Sequence, residues 1–169
     1  MYSVGDKVVH PGYGPGIITG VERRQVVGDP KEYYVIRMLA EGGTLMTPVA
    51  RADELGLRRA LDRKALDHLL KRMRTPPETL SSDFRERQAN IEERLKGADL
   101  EAAVEVMRDL VWHDELHRLT ERDSKLLQRA EVLLAGEMAL VEDINIDEAR
   151  SRLQARMAEI VAAETEAEQ

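Results

Sequence analysis

The chain contains no cysteine, one tryptophan and one phenylalanine among 169 residues, and aromatic residues make up 4% of it. The lack of cysteine excludes a disulfide framework and every thiolate metal site, and fits a reducing compartment. With so few rings the core must be aliphatic, and the 43% apolar content suffices for one good core or two small ones. No apolar run is long enough to span a bilayer and no charged, apolar leader opens the chain, so a cytoplasmic protein without a membrane span is expected. Signatures of nucleophilic chemistry are also missing: there is no Gly-x-Ser-x-Gly and no Cys/His pair, and no close carboxylate pair with an evident cleft. Neither an enzyme nor a bound cofactor is expected.

Positive charge is scarce overall, with a net charge of −7, which at first argues against nucleic acid. The deficit is local. Residues 1–60 carry 8 basic and 7 acidic side chains, residues 61–97 carry 9 and 7, and residues 98–169 carry 8 and 18. The acidity thus lies in the last third, where "AAETEAEQ" reads as a frayed, solvating tail, and a small basic patch in the middle stays open.

What the sequence does have, from Lys7 to Val49, is short apolar runs between turn signals. "KVVH" reads as a first strand, "PGYGPG" as a turn, "IITGVERRQVV" as a long second strand and "GDPKE" as a hairpin loop; "YYVIRML", the turn "AEGG" and "TLMTPV" follow. This is the pattern of a small antiparallel barrel or curled sheet of about 50 residues, a size at which a core is barely sufficient. The glycines of "VGDKVVHPGYGPGIITGVERR" do not fit a phosphate-cradling loop, because strand rather than helix follows and no Lys-Ser/Thr pair is present. Gly12, Gly14 and Gly16 are instead expected at positive-φ positions of a tight corner.

After "ARADELGLRRAL" the period becomes helical. Leu66, Leu69, Leu70 and Met73 mark a helix from about Asp62, stopped by "TPP". Ser81 or Ser82 is expected to cap a second helix, with Phe84, Ile91 and Leu95 on one stripe and Gly97 as its stop. A third starts near Asp99, and Thr120 with Asp123 predicts a capping box for a fourth, whose stripe from Leu126 to Val141 is the most apolar in the chain. A fifth runs from about Asp147 past Ile160. The predicted class is therefore α+β: a sheet domain over residues 1–55, a linker over 56–61, a five-helix domain over 62–163 and an acidic tail over 164–169.

Several residues invite chemical readings. His113 and His117 in "HDELH" lie at i, i+4, a spacing that zinc sites use. The residue after the first histidine is Asp114 rather than the glutamate a metalloprotease needs, and no third ligand follows, so no metal site is assigned. A metal-dependent hydrolase is nevertheless a rival reading, which stoichiometric zinc would revive. His10 and His68 read as packed or surface residues, and Trp112 as a helix-packing residue. Phe84, in "SSDFRERQANIEERL", has two readings: packing against Ile91, or an apolar wedge at a helix start with Arg85 and Arg87 placed to hold phosphates.

Taken together, "VGDKVVHPGYGPGII", "KEYYVI", "TPV", "ELGLRRAL", "ANIEERL", "VMRDLVWHDE" and "DSKLLQRAEVLLAGEMAL", in that order and followed by the closing helix, make the chain resemble the CarD family of bacterial RNA polymerase-binding transcription regulators. The resemblance implies a Tudor-like, SH3-related N-terminal barrel that docks on a lobe of the polymerase β subunit through an edge strand and basic residues. It also implies a helical domain that touches the minor groove of promoter DNA at the upstream edge of the melted region and stabilises the open complex. At the position of the family's wedge tryptophan this chain reads "SDF", so that Phe84 or Asp83 takes its place. Arg24 matches one polymerase-contacting arginine, Met46 stands where some relatives carry another, and Arg37 is a further candidate on the same module. Candidate DNA-contacting residues are Phe84, Arg85 and Arg87. Binding to DNA alone is expected to be weak, because a protein held on polymerase meets the promoter at high effective concentration. A monomer is expected. The alternative from another class is a non-catalytic adaptor whose helical domain meets a protein.

Overall fold

The computed structural model describes residues 1–40 and 42–169. Glu41, inside the turn expected at 40–43, lies outside the described residues. Five strands, β1 (Lys7–His10), β2 (Gly14–Arg24), β3 (Lys31–Met38), β4 (Thr44–Pro48) and β5 (Arg58–Arg59), form one antiparallel sheet in the order β4-β3-β2-β1-β5. Alternation aims Val8, Ile18, Tyr34, Ile36 and Met38 at one face, where Ala52 and Leu57 complete a small core. Tyr2 covers its end, packing edge-on against Tyr34 at 5.5 Å and donating its backbone N–H to the Tyr34 hydroxyl.

Two expectations need correction here. The sheet does not close into a barrel: β4 and β5 are its edges and do not pair with each other. Closure needs long staggered edge strands, and β5 offers only two residues. That strand arises inside the stretch read as a linker, where Arg59 and Arg58 pair with Val8 and Val9 of β1 and Leu57 is buried. Of the three corner glycines only Gly14 takes a positive φ, +88°. Gly16 is required for a different reason, since a Cβ there would lie 2.6 Å from Ile36 Cγ2 and 2.9 Å from the Arg37 carbonyl oxygen. β2 accordingly starts three residues earlier than the apolar run suggests, and a register shift between Ile18 and Gly20 bends it.

The helical half contains α1 (Arg63–Leu70), a 3-10 turn (Lys71–Arg74), α2 (Phe84–Leu95), α3 (Leu100–Leu116), α4 (Glu121–Glu142) and α5 (Ile146–Ala167). Every helix has a side-chain N-cap: Asp62, Asp83, Asp99, Thr120 and Asn145. The Thr120/Asp123 capping box forms as the spacing predicts. For α2 the cap is Asp83 rather than Ser81 or Ser82; the Ser81 hydroxyl instead accepts the Asp83 N–H. α5 continues through most of the segment read as a frayed tail, with residues 162–169 exposed. The core runs from Leu66 through Met107 and Leu134 to Ile160 and is nearly all aliphatic. No helix among the described residues is long and apolar enough to cross a membrane.

The two halves touch along α4, whose second half lies against β1 and β2. Leu39, just beyond β3, packs on the helical core.

Candidate functional site

The first turn of α2 is assembled from both inside and outside. Its inward-facing side chains, Arg87 and Gln88, are buried, although isolated arginines strongly prefer water. The reason is Asp123, 36 positions on in α4 and fully buried. Arg87 donates from Nε and Nη2 to its two carboxylate oxygens at 3.1 and 2.8 Å, and from Nη1 to the Ser81 carbonyl at 2.9 Å. Gln88 donates from Nε2 to the Thr120 hydroxyl and to Asp123, and the Thr120 N–H donates to Asp123 at 2.9 Å. Burial opposes ionisation of Asp123, but the Arg87 guanidinium and the Thr120 and Gln88 hydrogen bonds outweigh it and hold the carboxyl at about 2. A buried, bidentate pair of this kind fixes geometry, since either partner alone would be an uncompensated charge.

His113 of α3 sits beside this pair. Burial, together with the positive Arg87 and the neighbouring His117 ring 5.0 Å away, pushes its imidazole below the usual value, against the weaker pull of Asp123 and Asp114. Among the described residues no group of three or more histidine, aspartate or glutamate side chains is arranged to hold a metal ion.

On the outer side of the same turn, Phe84 is 51% exposed. It shares the helical phase of Ile91 and Leu95, yet it lies at the first position of α2, and side chains of a helix lean toward its N-terminus. Phe84 therefore overhangs the end of the helix instead of packing on the core. The Arg85 guanidinium lies 5.5 Å from its ring centre, and Arg85 has no carboxylate partner among the described residues. Below the ring is an open depression of about 530 Å³ lined by Gln88, Thr120, Glu121, Arg122 and Lys125. Arg122 and Lys125 are each paired with an acid, Glu92 and Glu121, so the rim is close to neutral.

The structure thus brings Phe84 and Arg85 together on an exposed corner and separates Arg87 from them. Arg87 is buried, and each of its three guanidinium nitrogens already donates to Asp123 or the Ser81 carbonyl, so its place is under the corner, holding it. Sequence spacing groups Arg87 with Arg85, and only the remote Asp123 reassigns it. Trp112 is half-buried against the helical core.

The other three candidates belong to the sheet. Paired residues on neighbouring strands share a face and faces alternate along a strand. Arg24 pairs with Lys31, Met46 pairs with Val35, and Arg37 lies two residues beyond Val35 on β3, so all three are on the outer face. Arg24 is exposed while donating to Glu22 at 2.8 and 3.0 Å; Arg37 is exposed and Met46 half-buried. Met46 also lies on β4, whose free side is the longer of the two sheet edges.

The residues that the sequence did not single out are at the domain junction. Glu137, inside the apolar stripe of α4, is buried and accepts from Arg58 of β5 at 3.1 and 3.0 Å and from the Leu61 N–H at 2.5 Å. An acid in the middle of an apolar helix face is a signal that sequence carries, but its partner is not. A third buried acid, Asp109 of α3, gathers Arg94, Arg108 and the Glu78 N–H, and so fastens the "TPP" segment that leads to α2.

Comparison with known proteins matches both halves of the chain. Residues 2–61 match the family described as the CarD-like/TRCF RID domain, and residues 68–154 match the CarD C-terminal domain. The chain is 26% identical over 151 residues to a putative transcription factor, YdeB, of Bacillus subtilis strain 168, covering 89% of this chain and 99% of that protein. Among solved structures, the solution structure of the 72-residue N-terminal domain of Myxococcus xanthus CarD matches with 25% identity and a TM-score of 0.31, over 35% of this chain and 79% of that one. With both domains matched in order, and the second alone spanning half of the sequence, the chain belongs to the CarD family.

Proposed function

We propose that this protein is a non-catalytic transcription regulator that docks on the RNA polymerase β subunit through its sheet and contacts promoter DNA at the upstream edge of the bubble through Phe84 and Arg85. The observation that carries this reading is the exposed position of Phe84. A large apolar ring left in water at the end of a helix whose first turn is pinned by a buried ion pair is a rigid, accessible wedge. Arg85 beside it supplies a guanidinium for a phosphate, and Arg87 acts indirectly by fixing the helix. The β4 edge and the outer-face residues Arg24, Arg37 and Met46 offer a surface of the kind that accepts a partner strand.

A wedge of this kind acts by binding the open promoter better than the closed one, and the shift equals the difference between the two affinities. The near-neutral rim gives little attraction for free duplex, so the polymerase tether carries the encounter. The deciding experiment measures the lifetime of competitor-challenged open complexes formed by the cognate holoenzyme, with wild-type protein and with Phe84→Ala. Wild type lengthens the lifetime, and Phe84→Ala binds polymerase equally well but removes most of the gain. Equal activity of the two proteins assigns Phe84 to another role, and a pull-down lacking the β subunit favours a protein adaptor instead.

A further inference from the structure

We infer that Glu137 is a positioning residue: it locks the sheet domain to the helical domain as one body, and so fixes Phe84 relative to the sheet's outer face and β4 edge. The functional half of this inference rests on the reading proposed above; the structural half does not.

The junction is small and specific. Glu137 Oε1 and Oε2 each accept from an Arg58 guanidinium nitrogen, and Oε1 also accepts the Leu61 N–H, so one buried carboxylate holds the edge strand and the chain that leaves it. The glutamate side chain is 1% exposed and that of Arg58 is 40% exposed, so the pair is sealed on the α4 side only. One residue earlier, Gly136 lets the β1–β2 corner approach α4 directly: a Cβ at Gly136 would lie 2.9 Å from Pro15 Cγ and 3.2 Å from its Cδ. Lys7 and Asp143 close the outer rim with a 2.8 Å surface pair, which contributes little on its own. Leu39 is an apolar side chain that the sheet domain adds to the helical core.

Beside the apolar contacts of Leu39 and Pro15, which resist separation more than rotation, directional bonds are what can hold the angle. A forked arginine bound to both oxygens of a buried carboxylate restricts rotation as well as distance, unlike an exposed lysine pair. The consequence is functional. Two contacts made by one chain reinforce each other only when both can be satisfied at once, and a loose hinge dilutes the second contact over many orientations. A fixed junction keeps Phe84 at the position that polymerase docking requires.

The absence of cysteine makes the test clean. Glu32→Cys on β3 and Glu159→Cys on α5, both exposed, carry spin labels for pulsed distance measurement on the full chain without polymerase. In the labelled parent a single narrow distance distribution is expected. Glu137→Gln keeps the size and the acceptor for Leu61 but loses the charge, and is expected to broaden the distribution; Gly136→Ala drives a methyl into Pro15 and is expected to displace it. Circular dichroism confirms that each variant remains folded, and Arg58→Lys, which removes the fork from the partly exposed side, replaces Glu137→Gln if that variant does not fold. A broad distribution in the parent, or one unchanged in Gly136→Ala and in the charge-pair variant measured, overturns the lock. In the open-complex assay Glu137→Gln retains polymerase binding and loses most of the lifetime gain. Full gain despite a broadened distance overturns the positioning role. No gain from wild type itself refutes the proposed function, and the lock is then judged by the distances alone.

Discussion

Among the described residues, the sheet domain has a core of seven buried side chains, and the helical domain has twenty-two. Their charges are placed oppositely too. The ion pairs within the sheet domain, Arg24–Glu22, Arg51–Glu54 and Arg59–Asp6, lie at the surface, whereas those of the helical domain include Arg87–Asp123 and Arg108–Asp109, each with both partners buried. A domain of about 60 residues buries a modest fraction of its surface, and the sheet packs one corner against α4. The helical domain has core to spare and places charges inside it, where they select one arrangement of α2 against its neighbours. One half offers free side chains and an open edge to a partner, and the other holds a single exposed corner still.

The largest effect expected is that of Asp123→Ala. It leaves the Arg87 charge buried without a counter-ion and dismantles the α4 capping box, at a cost of about 3–5 kcal/mol in denaturant unfolding. A loss under about 1 kcal/mol would show that the buried pair does not hold α2, and would erase the contrast between the halves.

Next is a pair of core truncations that tests the dependence of one domain on the other. Leu134→Ala in α4 and Ile36→Ala in β3 are each expected to cost about 2–5 kcal/mol, since both side chains are fully buried. Amide exchange should separate them: Leu134→Ala lowers protection in both domains, while Ile36→Ala lowers it in the sheet alone. Equal spreading from Ile36→Ala would mean mutual dependence rather than a sheet leaning on α4.

Acid sharpens the comparison further. Asp123 has a folded-state value of about 2, below its usual 3.8, so its contribution is complete above pH 4 and is lost as the pH falls toward 2, by about 2 kcal/mol. Asp123→Asn removes this part of the pH dependence. His113 adds a milder loss at higher pH. Its folded-state value lies below the usual one, so the unfolded chain takes up the proton first, and stability declines as the pH drops below about 6.5. His113→Gln flattens that slope, which urea titrations between pH 7 and 5 would register.

The smallest change in stability belongs to Phe84→Ala, within about 0.5 kcal/mol of wild type because the ring is half in water. A loss above 2 kcal/mol would turn Phe84 into a core residue and return it to the packing reading.

Much of the fold was legible because it rests on local rules. The 3.6 period, the Asp99 start and the Thr120/Asp123 box place α3 and α4 from neighbouring residues alone, and the alternation of "KEYYVIRM" yields β3 with its inner Tyr34, Ile36 and Met38. β5 was not legible, since two residues carry no period. Phe84 was placed on the right stripe, but its exposure depends on where the core ends beneath the first turn of α2. Arg87 and Glu137 mark the sharper limit. Local sequence makes the first a surface cation and the second an anomaly in an apolar face, and each finds its role through a partner 36 or 79 positions away.

By itself, then, the sequence determined the order of elements, the approximate starts of the helices, the Thr120 cap of α4 and the α+β class, because spacing and propensity act over a few residues. The tertiary structure alone decided which charges are buried, that the sheet stays open, and how the two domains meet. Burial of a charge is favourable only when its partner arrives from elsewhere in the fold, so no local pattern specifies it.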